Sequence, residues 1–229
     1  MKQLIIISVL LIFATLGCSP KNGGTPKMDN TKNPRIGNYV KGKGYGKYSV
    51  ATFAGGCFWC TEASFERING VIDVISGYSG GNTEHPTYKE VCSETTGHAE
   101  AIQIYFDPAL ISFNKLLDIF FVAHDPTQLN RQGNDIGASY RSAIYYQNKK
   151  QKEIIDAKIK ILNESTFNNE IVTEVEAFDE FWVAEEYHQN FYEINPQQSY
   201  VYNVSRPKVE KVMKTFNDIL KSTSIFPCI

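Results

Sequence analysis

The sequence predicts one α/β domain in which helices cover a β-sheet, preceded by an N-terminal address segment. Three observations carry this. Short runs rich in Val, Ile, Phe and Tyr alternate singly with helix-like runs, an order that lays helices on a sheet. The chain has 229 residues, enough to bury a core, and shows no internal repeat. Two Gly- and Asn-rich stretches, 77–97 and 125–138, are longer than ordinary connections, and such loops tend to be functional. Composition narrows the class further. With 42% hydrophobic, 13% aromatic and 21% charged residues the chain is no disordered polymer. Five cysteines are too few for a disulfide-built scaffold, and only one segment is strongly apolar.

That segment opens the chain. Lys2 precedes the apolar run Leu4–Leu16, then Gly17-Cys18-Ser19-Pro20. The run is shorter than the ~20 residues a bilayer span requires and reads as an export signal. Its ending, a small residue and then cysteine, resembles a bacterial lipoprotein signal, with cleavage after Gly17 and lipid on Cys18. Residues 18–47 read as a linker: Gly, Lys, Asn, Pro and Thr predominate, and seven basic residues stand against Asp29 alone. The expected organisation is therefore signal peptide 1–17, lipid-anchored linker 18–47, domain 48–221 and tail 222–229. The net charge of −2 is the sum of Lys2, a +6 linker and a −9 domain. A basic tether suits anionic headgroups, and an acidic body argues against nucleic acid as a partner. The expected location is outside the cytoplasmic membrane, attached through lipid, and the expected state is monomeric.

Within the domain, Tyr48–Ala54 alternates as a strand and Gly55-Gly56 breaks it. Cys57–Arg67 carries Phe58, Ala63 and Phe65 at helical spacing, and Gly70 stops it. Val71–Ser76 and Glu100–Phe106 read as strands. Ser112 can cap a helix over Phe113–Ala123. Arg141–Tyr146 is a strand and Lys149–Leu162 an amphipathic helix. Ile171–Phe178 reads as a strand, Ala184–Tyr192 as a short helix and Pro207–Leu220 as the last helix.

The strand–helix junction carries the chemistry. Cys57 falls at a helix N-terminus, where unpaired N–H groups and the helix dipole favour a thiolate, so its pKa is expected low. Cys60 lies one helical turn on, within disulfide reach. An attacking thiol beside a resolving thiol suffices for reversible redox chemistry. Phe58 and Trp59 next to the nucleophile could wall a small apolar group. The pair also fits other readings: two buried structural thiols, half of a zinc site completed by Cys92 and His98, or a thioredoxin-like oxidoreductase. No second Cys-x-x-Cys is present, and Phe-Trp stands where thioredoxin-like enzymes usually carry Gly-Pro or Pro-His.

GCFWC (56–60), PTYKEVC (86–92), GHAEAI (97–102), HDPTQLNRQGND (124–135), YRSAIYY (140–146) and AEEYHQNFY (184–192) occur in that order. Together they resemble the A-type peptide methionine sulfoxide reductases, in the subtype with GCFWC, over roughly 48–218. The resemblance implies a mixed sheet around a ferredoxin-like βαβ core, covered by helices. It implies Cys57 as the nucleophile, Phe58 and Trp59 as the pocket for the sulfoxide methyl, and Glu100 as the general acid. Tyr88 and Tyr140 match the two tyrosines that hold the sulfoxide oxygen, and Asp135 matches a substrate-site aspartate. On local chemistry alone Glu100 reads as a strand-end carboxylate and Asp135 as a turn residue beside Gly133. The implied reaction is reduction of methionine S-sulfoxide, free or in oxidised proteins, with a thioredoxin-like protein as reductant and no metal or organic cofactor.

Two departures stand out. Many relatives have Gly at the position of Cys60 and resolve with cysteines near the C-terminus; here both Cys60 and Cys228 are present. One helical turn fixes the distance of Cys60, so Cys60 is the expected resolving thiol and Cys228 a possible second one. Gly137-Ala138-Ser139 precedes Tyr140 where relatives often carry Thr-Gln, which bears on how Tyr140 is positioned. Cys92 reads as a bystander. The rival functions are a thioredoxin-like disulfide reductase and a non-catalytic binder of oxidised methionine.

Overall fold

The computed structural model describes residues 33–222. The signal segment, Cys18 and Cys228 lie outside the described residues. In chain order the elements are α1 (Ile36–Tyr39), β1 (Ser49–Gly55), α2 (Phe58–Glu66), β2 (Val71–Ser79), α3 (Tyr88–Cys92), β3 (Ala99–Phe106), α4 (Phe113–Ala123), β4 (Arg131–Gln132), β5 (Asp135–Ile136), β6 (Ser142–Tyr146), α5 (Lys149–Ser165), β7 (Glu174–Ala177), β8 (Phe181–Val183), α6 (Phe191–Ile194) and α7 (Arg206–Thr215). The main sheet has the order β7-β6-β1-β3-β2-β8, and β4-β5 form a small hairpin. All pairs in the main sheet are antiparallel except β6–β7. The inner four strands, with α2 after β1 and α4 after β3, make the ferredoxin-like arrangement; β7 and β8 extend it at the two edges. The sheet is mixed and helix-covered, as expected.

β3 is buried at every position, as a central strand covered on both faces must be. On one face Ile102, Ile104 and Phe106 join Phe53, Phe65, Phe120 and Val212, beneath helices α2, α4, α5 and α7. On the other, Ala101, Tyr105 and Tyr145 meet Ile36, Tyr39, Val40, Tyr45 and Tyr48. This second layer corrects the sequence reading. The end of the expected linker, residues 33–47, packs on the sheet: Ile36 is buried, Val183 N donates to Pro34 O, and the Tyr45 ring lies tilted against Tyr105 while its hydroxyl bonds Asp73. Composition hid this because widely spaced aromatics among Gly and Lys give no periodic signal.

Side-chain caps set three of the helix starts. Ser112 accepts from Lys115 N and Asn148 from Gln151 N, and Thr87 with Glu90 forms a capping box on α3, inside a stretch read as loop. Three expectations fail for tertiary reasons. Strand 171–178 shortens to Glu174–Ala177, and Phe181–Val183 forms an edge strand that the pattern did not reveal. The helix expected over 184–192 is replaced by two short turns, Glu186–His188 and Phe191–Ile194. There the Gln189 side chain takes both Ser76 N–H and Ser76 C=O, prolonging the sheet edge, and Asn190 turns left-handed at φ 54°. The last helix runs Arg206–Thr215, entered through a π-helical turn, Val201–Ser205.

Candidate active site

β1 ends at Gly55, Gly56 turns the chain at φ +80°, and Cys57 is the N-cap of α2. The turn is tight because Gln132 fills the space beside it. A Cβ on Gly56 would meet Gln132 Cβ at 2.6 Å, and Gln132 is pinned by accepting from Asp125 N and donating to Asp125 O. Gly56→Ala therefore combines a left-handed alanine with an overpacked contact. The expected loss is about 2–4 kcal/mol, read as a urea midpoint lowered by about 1 M. An unchanged midpoint would refute it.

A cavity of about 330 Å³ opens over this junction, lined by Cys57, Phe58, Trp59, Tyr88, Glu100, Asp135, Tyr140, Gln198 and Tyr200. The structure thus brings seven sequence-predicted residues to one place. Cys60 sits just beneath, one turn down α2, with its Sγ 3.2 Å from Ser205 Oγ. Glu100, buried on central strand β3, accepts from Phe58 N at 3.0 Å, which ties the carboxyl to the start of α2. Burial pushes its pKa up to about 8, although the Phe58 N–H opposes this. At neutral pH Glu100 is mostly protonated and can donate a proton.

Cys57 corrects the expectation of a low pKa. Burial pushes its thiol well above the ordinary range, and the Cys60 sulfur and Glu100 push the same way; only the Trp59 amide favours the thiolate. One N–H at a helix N-terminus does not offset removal of the sulfur from water. Cys60 is brought down to about 7, because the Cys57 thiol donates to its sulfur and Lys208 and Ser205 add to the effect against burial. Cys57 and Glu100 are therefore both mostly neutral at pH 7, and the more acidic thiol is Cys60.

The walls are held from outside the cavity. Phe58 and Tyr88 stack with ring centroids 6.4 Å apart. Trp59 stacks on Phe191 at 3.8 Å, and its indole N–H donates to His188 Nδ1 at 3.1 Å. Glu185 accepts from Tyr88 N at 2.9 Å and from the Tyr78 hydroxyl at 2.8 Å, fixing the first turn of α3. Tyr88 and Tyr140 both have raised pKa values, first through burial and then through Glu100, so both remain hydrogen-bond donors. The 137–139 departure has its own support: Ser139 Oγ donates to Glu94 Oε1 at 2.6 Å and Ser139 N to Oε2 at 3.1 Å. That clamp holds the turn Ala138–Tyr140.

Sequence reasoning missed Gln198, Tyr200 and Ser205. The Tyr200 hydroxyl bonds Asp135, and its ring meets Trp59 edge-on at 5.8 Å. The only signal was a polar, aromatic-bearing stretch, Asn195–Asn203, ahead of the last helix. Cys92 is exposed at the end of α3. Among the described residues no cluster of His, Cys, Asp or Glu is placed to hold a metal ion, so the Cys92–His98 zinc reading has no geometry behind it.

The family model for peptide methionine sulfoxide reductase matches residues 49–220, from β1 through α7. The chain belongs to the peptide methionine sulfoxide reductase family. Curated reductases of the A type from Haloquadratum walsbyi and Saccharolobus solfataricus are each 51% identical to it, over 75% of this chain and 98% and 97% of theirs. Two solved structures share the fold. Reduced Mxr1 from Saccharomyces cerevisiae matches with a TM-score of 0.60 at 37% identity, over 66% of this chain and 87% of that one. Methionine sulfoxide reductase A of Corynebacterium diphtheriae matches with a TM-score of 0.60 at 33% identity, over 67% and 78%. As a member of this reductase family the chain is an enzyme of A-type methionine sulfoxide reduction, which sets aside the thioredoxin-like reading.

Proposed function

We propose that the enzyme reduces methionine S-sulfoxide, free and in oxidised proteins, by thiol chemistry at Cys57. The observation that carries this reading is the meeting of Cys57 and the buried Glu100 at one cavity walled by Phe58, Trp59 and two tyrosines. A sulfoxide needs a sulfur nucleophile, a proton at its oxygen and a dry place for its methyl; the cavity offers each. The Cys57 sulfur attacks the sulfoxide sulfur while protonated Glu100 delivers a proton to the oxygen, which Tyr88 and Tyr140 hold. The proton leaving the Cys57 thiol restores Glu100. Methionine departs, and Cys57 is left as a sulfenic acid. Cys60 then attacks the Cys57 sulfur: the S–O bond breaks, a Cys57–Cys60 disulfide forms and water leaves. A thioredoxin-like protein is the reductant that returns both thiols, and no bound cofactor takes part.

A single turnover without reductant tests the cycle. The S epimer is expected to yield about one methionine per enzyme and a Cys57–Cys60 bridge on peptide mapping, and the R epimer none. A Cys57–Cys228 bridge with Cys60 free would move the resolving role to the tail.

We also propose export and anchoring through lipid on Cys18, supported by the apolar run ending at Gly17-Cys18 and the basic segment after it. Radioactive palmitate is expected to label the full chain in a bacterial host and to be lost in Cys18→Ala; an unlabelled wild type would refute this.

A further inference from the structure

Ser205 is unexplained by the cycle above, yet its placement is specific. It is fully buried, at 0% exposure, and its hydroxyl lies 3.2 Å from the Cys60 sulfur. The two residues are 145 apart in sequence and come together because the chain enters α7 through a π-helical turn, Val201–Ser205. Such a turn costs regular helix hydrogen bonding and recurs where a side chain must be re-aimed at a site. Directly before that turn, Tyr200 faces the cavity and bonds Asp135, so one short segment serves both the substrate wall and the buried thiol. Lys208, one turn beyond Ser205 on α7, adds a positive charge that favours the Cys60 thiolate.

We propose that Ser205 is a positioning residue for the resolving step: its hydroxyl orients the Cys60 sulfur and donates to it as a thiolate when Cys60 attacks the Cys57 sulfenic acid. This rests on the reading of Cys60 as the resolving thiol. With the thiol protonated, Cys60 donates to Ser205 Oγ, as the structure shows. When the proton leaves, the hydroxyl rotates and becomes the donor, so the contact survives ionisation. A donor to a charged sulfur is stronger than one between neutral groups, and it acts where water is excluded. In the step itself the Cys60 electron pair forms the S–S bond, the Cys57 S–O bond breaks, and the departing hydroxide takes up a proton to become water. Cys60 is oxidised and the Cys57 sulfur reduced, with no further reagent.

The prediction is a split between the two half-reactions. Ser205→Ala removes one oxygen and leaves a methyl in the same space. In a single turnover with a methionine S-sulfoxide peptide and no reductant, the variant is expected to release methionine at the wild-type rate. Formation of the Cys57–Cys60 disulfide is expected to slow about tenfold or more, with Cys57 sulfenic acid accumulating as a dimedone adduct. The midpoint of its rise with pH is expected to move upward by about one unit. Two results would overturn the proposal. A Cys57–Cys60 bridge formed at the wild-type rate with an unshifted pH profile would refute the role of Ser205 and leave Cys60 as resolver. A wild-type bridge mapping to Cys57–Cys228 would refute both.

Discussion

Cys57→Ser is expected to lose methionine sulfoxide reduction by about 10⁴-fold or more, in every assay and with any reductant. The sulfur sits at the N-cap of α2 with 5% exposure, inside a cavity that leaves a serine hydroxyl no base strong enough to ionise it. Glu100, the nearest carboxyl, is itself mostly protonated at neutral pH. An alcohol would also give a peroxy-type product rather than a sulfenic acid, so no slower version of the same cycle exists. The walls do not depend on the sulfur: Trp59 stays on Phe191 and His188, and Tyr88 on Glu185. The variant should therefore still bind a methionine sulfoxide peptide, keep its urea midpoint and fail only in turnover. Activity within tenfold of wild type would refute the assignment of Cys57.

Glu100→Gln is expected to lower the methionine-release step by about 10²–10⁴-fold while substrate affinity changes little. The amide keeps the shape of the carboxyl and can still accept from Phe58 N, but it has no proton of useful acidity to give. The pH dependence carries the sharper test. Glu100 must be protonated to act, and its pKa is raised by burial to about 8. The wild-type chemical step should therefore fall as pH rises through about 8, and that limb should vanish in the variant. Stability follows the same group. A carboxyl whose folded pKa lies above its ordinary value of 4.5 stabilises the fold fully below about pH 4.5 and loses that contribution as pH rises through about 8. Urea unfolding at pH 6 and pH 9 should show E100Q gaining on the wild type at the higher pH. A constant difference between them would mean that Glu100 is ionised in the folded enzyme.

Much of the site was readable because its local geometry is written locally. Gly55-Gly56 before Cys57 specifies a break and a helix start, and the three-residue spacing to Cys60 specifies one helical turn whatever surrounds it. The Ser112 cap, the β-forming run Glu100–Phe106 that becomes β3 and the helix Phe113–Ala123 belong to the same class. The motif stretches name Tyr88, Glu100, Asp135 and Tyr140, though local chemistry alone would have left Glu100 an exposed strand end. What no pattern revealed were groups that matter only through distant partners. Ser205, Tyr200 and the Glu94–Ser139 clamp each act across dozens of residues or more, and an isolated Ser, Tyr or Glu in a polar stretch has no periodicity. The 184–192 segment shows the converse. Its helical spacing was real, but Gln189 and Ala184 found better partners on Ser76 at the sheet edge.

The sequence by itself determined the order of the main strands and helices from β1 to α5, the strand–turn–helix that presents Cys57, the proximity of Cys60, and the division of charge between a basic N-terminal segment and an acidic domain. Tertiary structure alone decided the ionisation of the groups to which we assign the chemistry. A helix N-terminus favours a thiolate at Cys57, but burial, with Cys60 and Glu100 pushing the same way, outweighs it, and burial likewise raises Glu100. It also turned part of the segment read as linker into the second layer over the sheet, through Ile36 and Tyr45. Both outcomes have one physical reason. Backbone conformation is set by neighbours along the chain, whereas desolvation is set by whatever the fold stacks on top, and that is fixed only when the whole core closes.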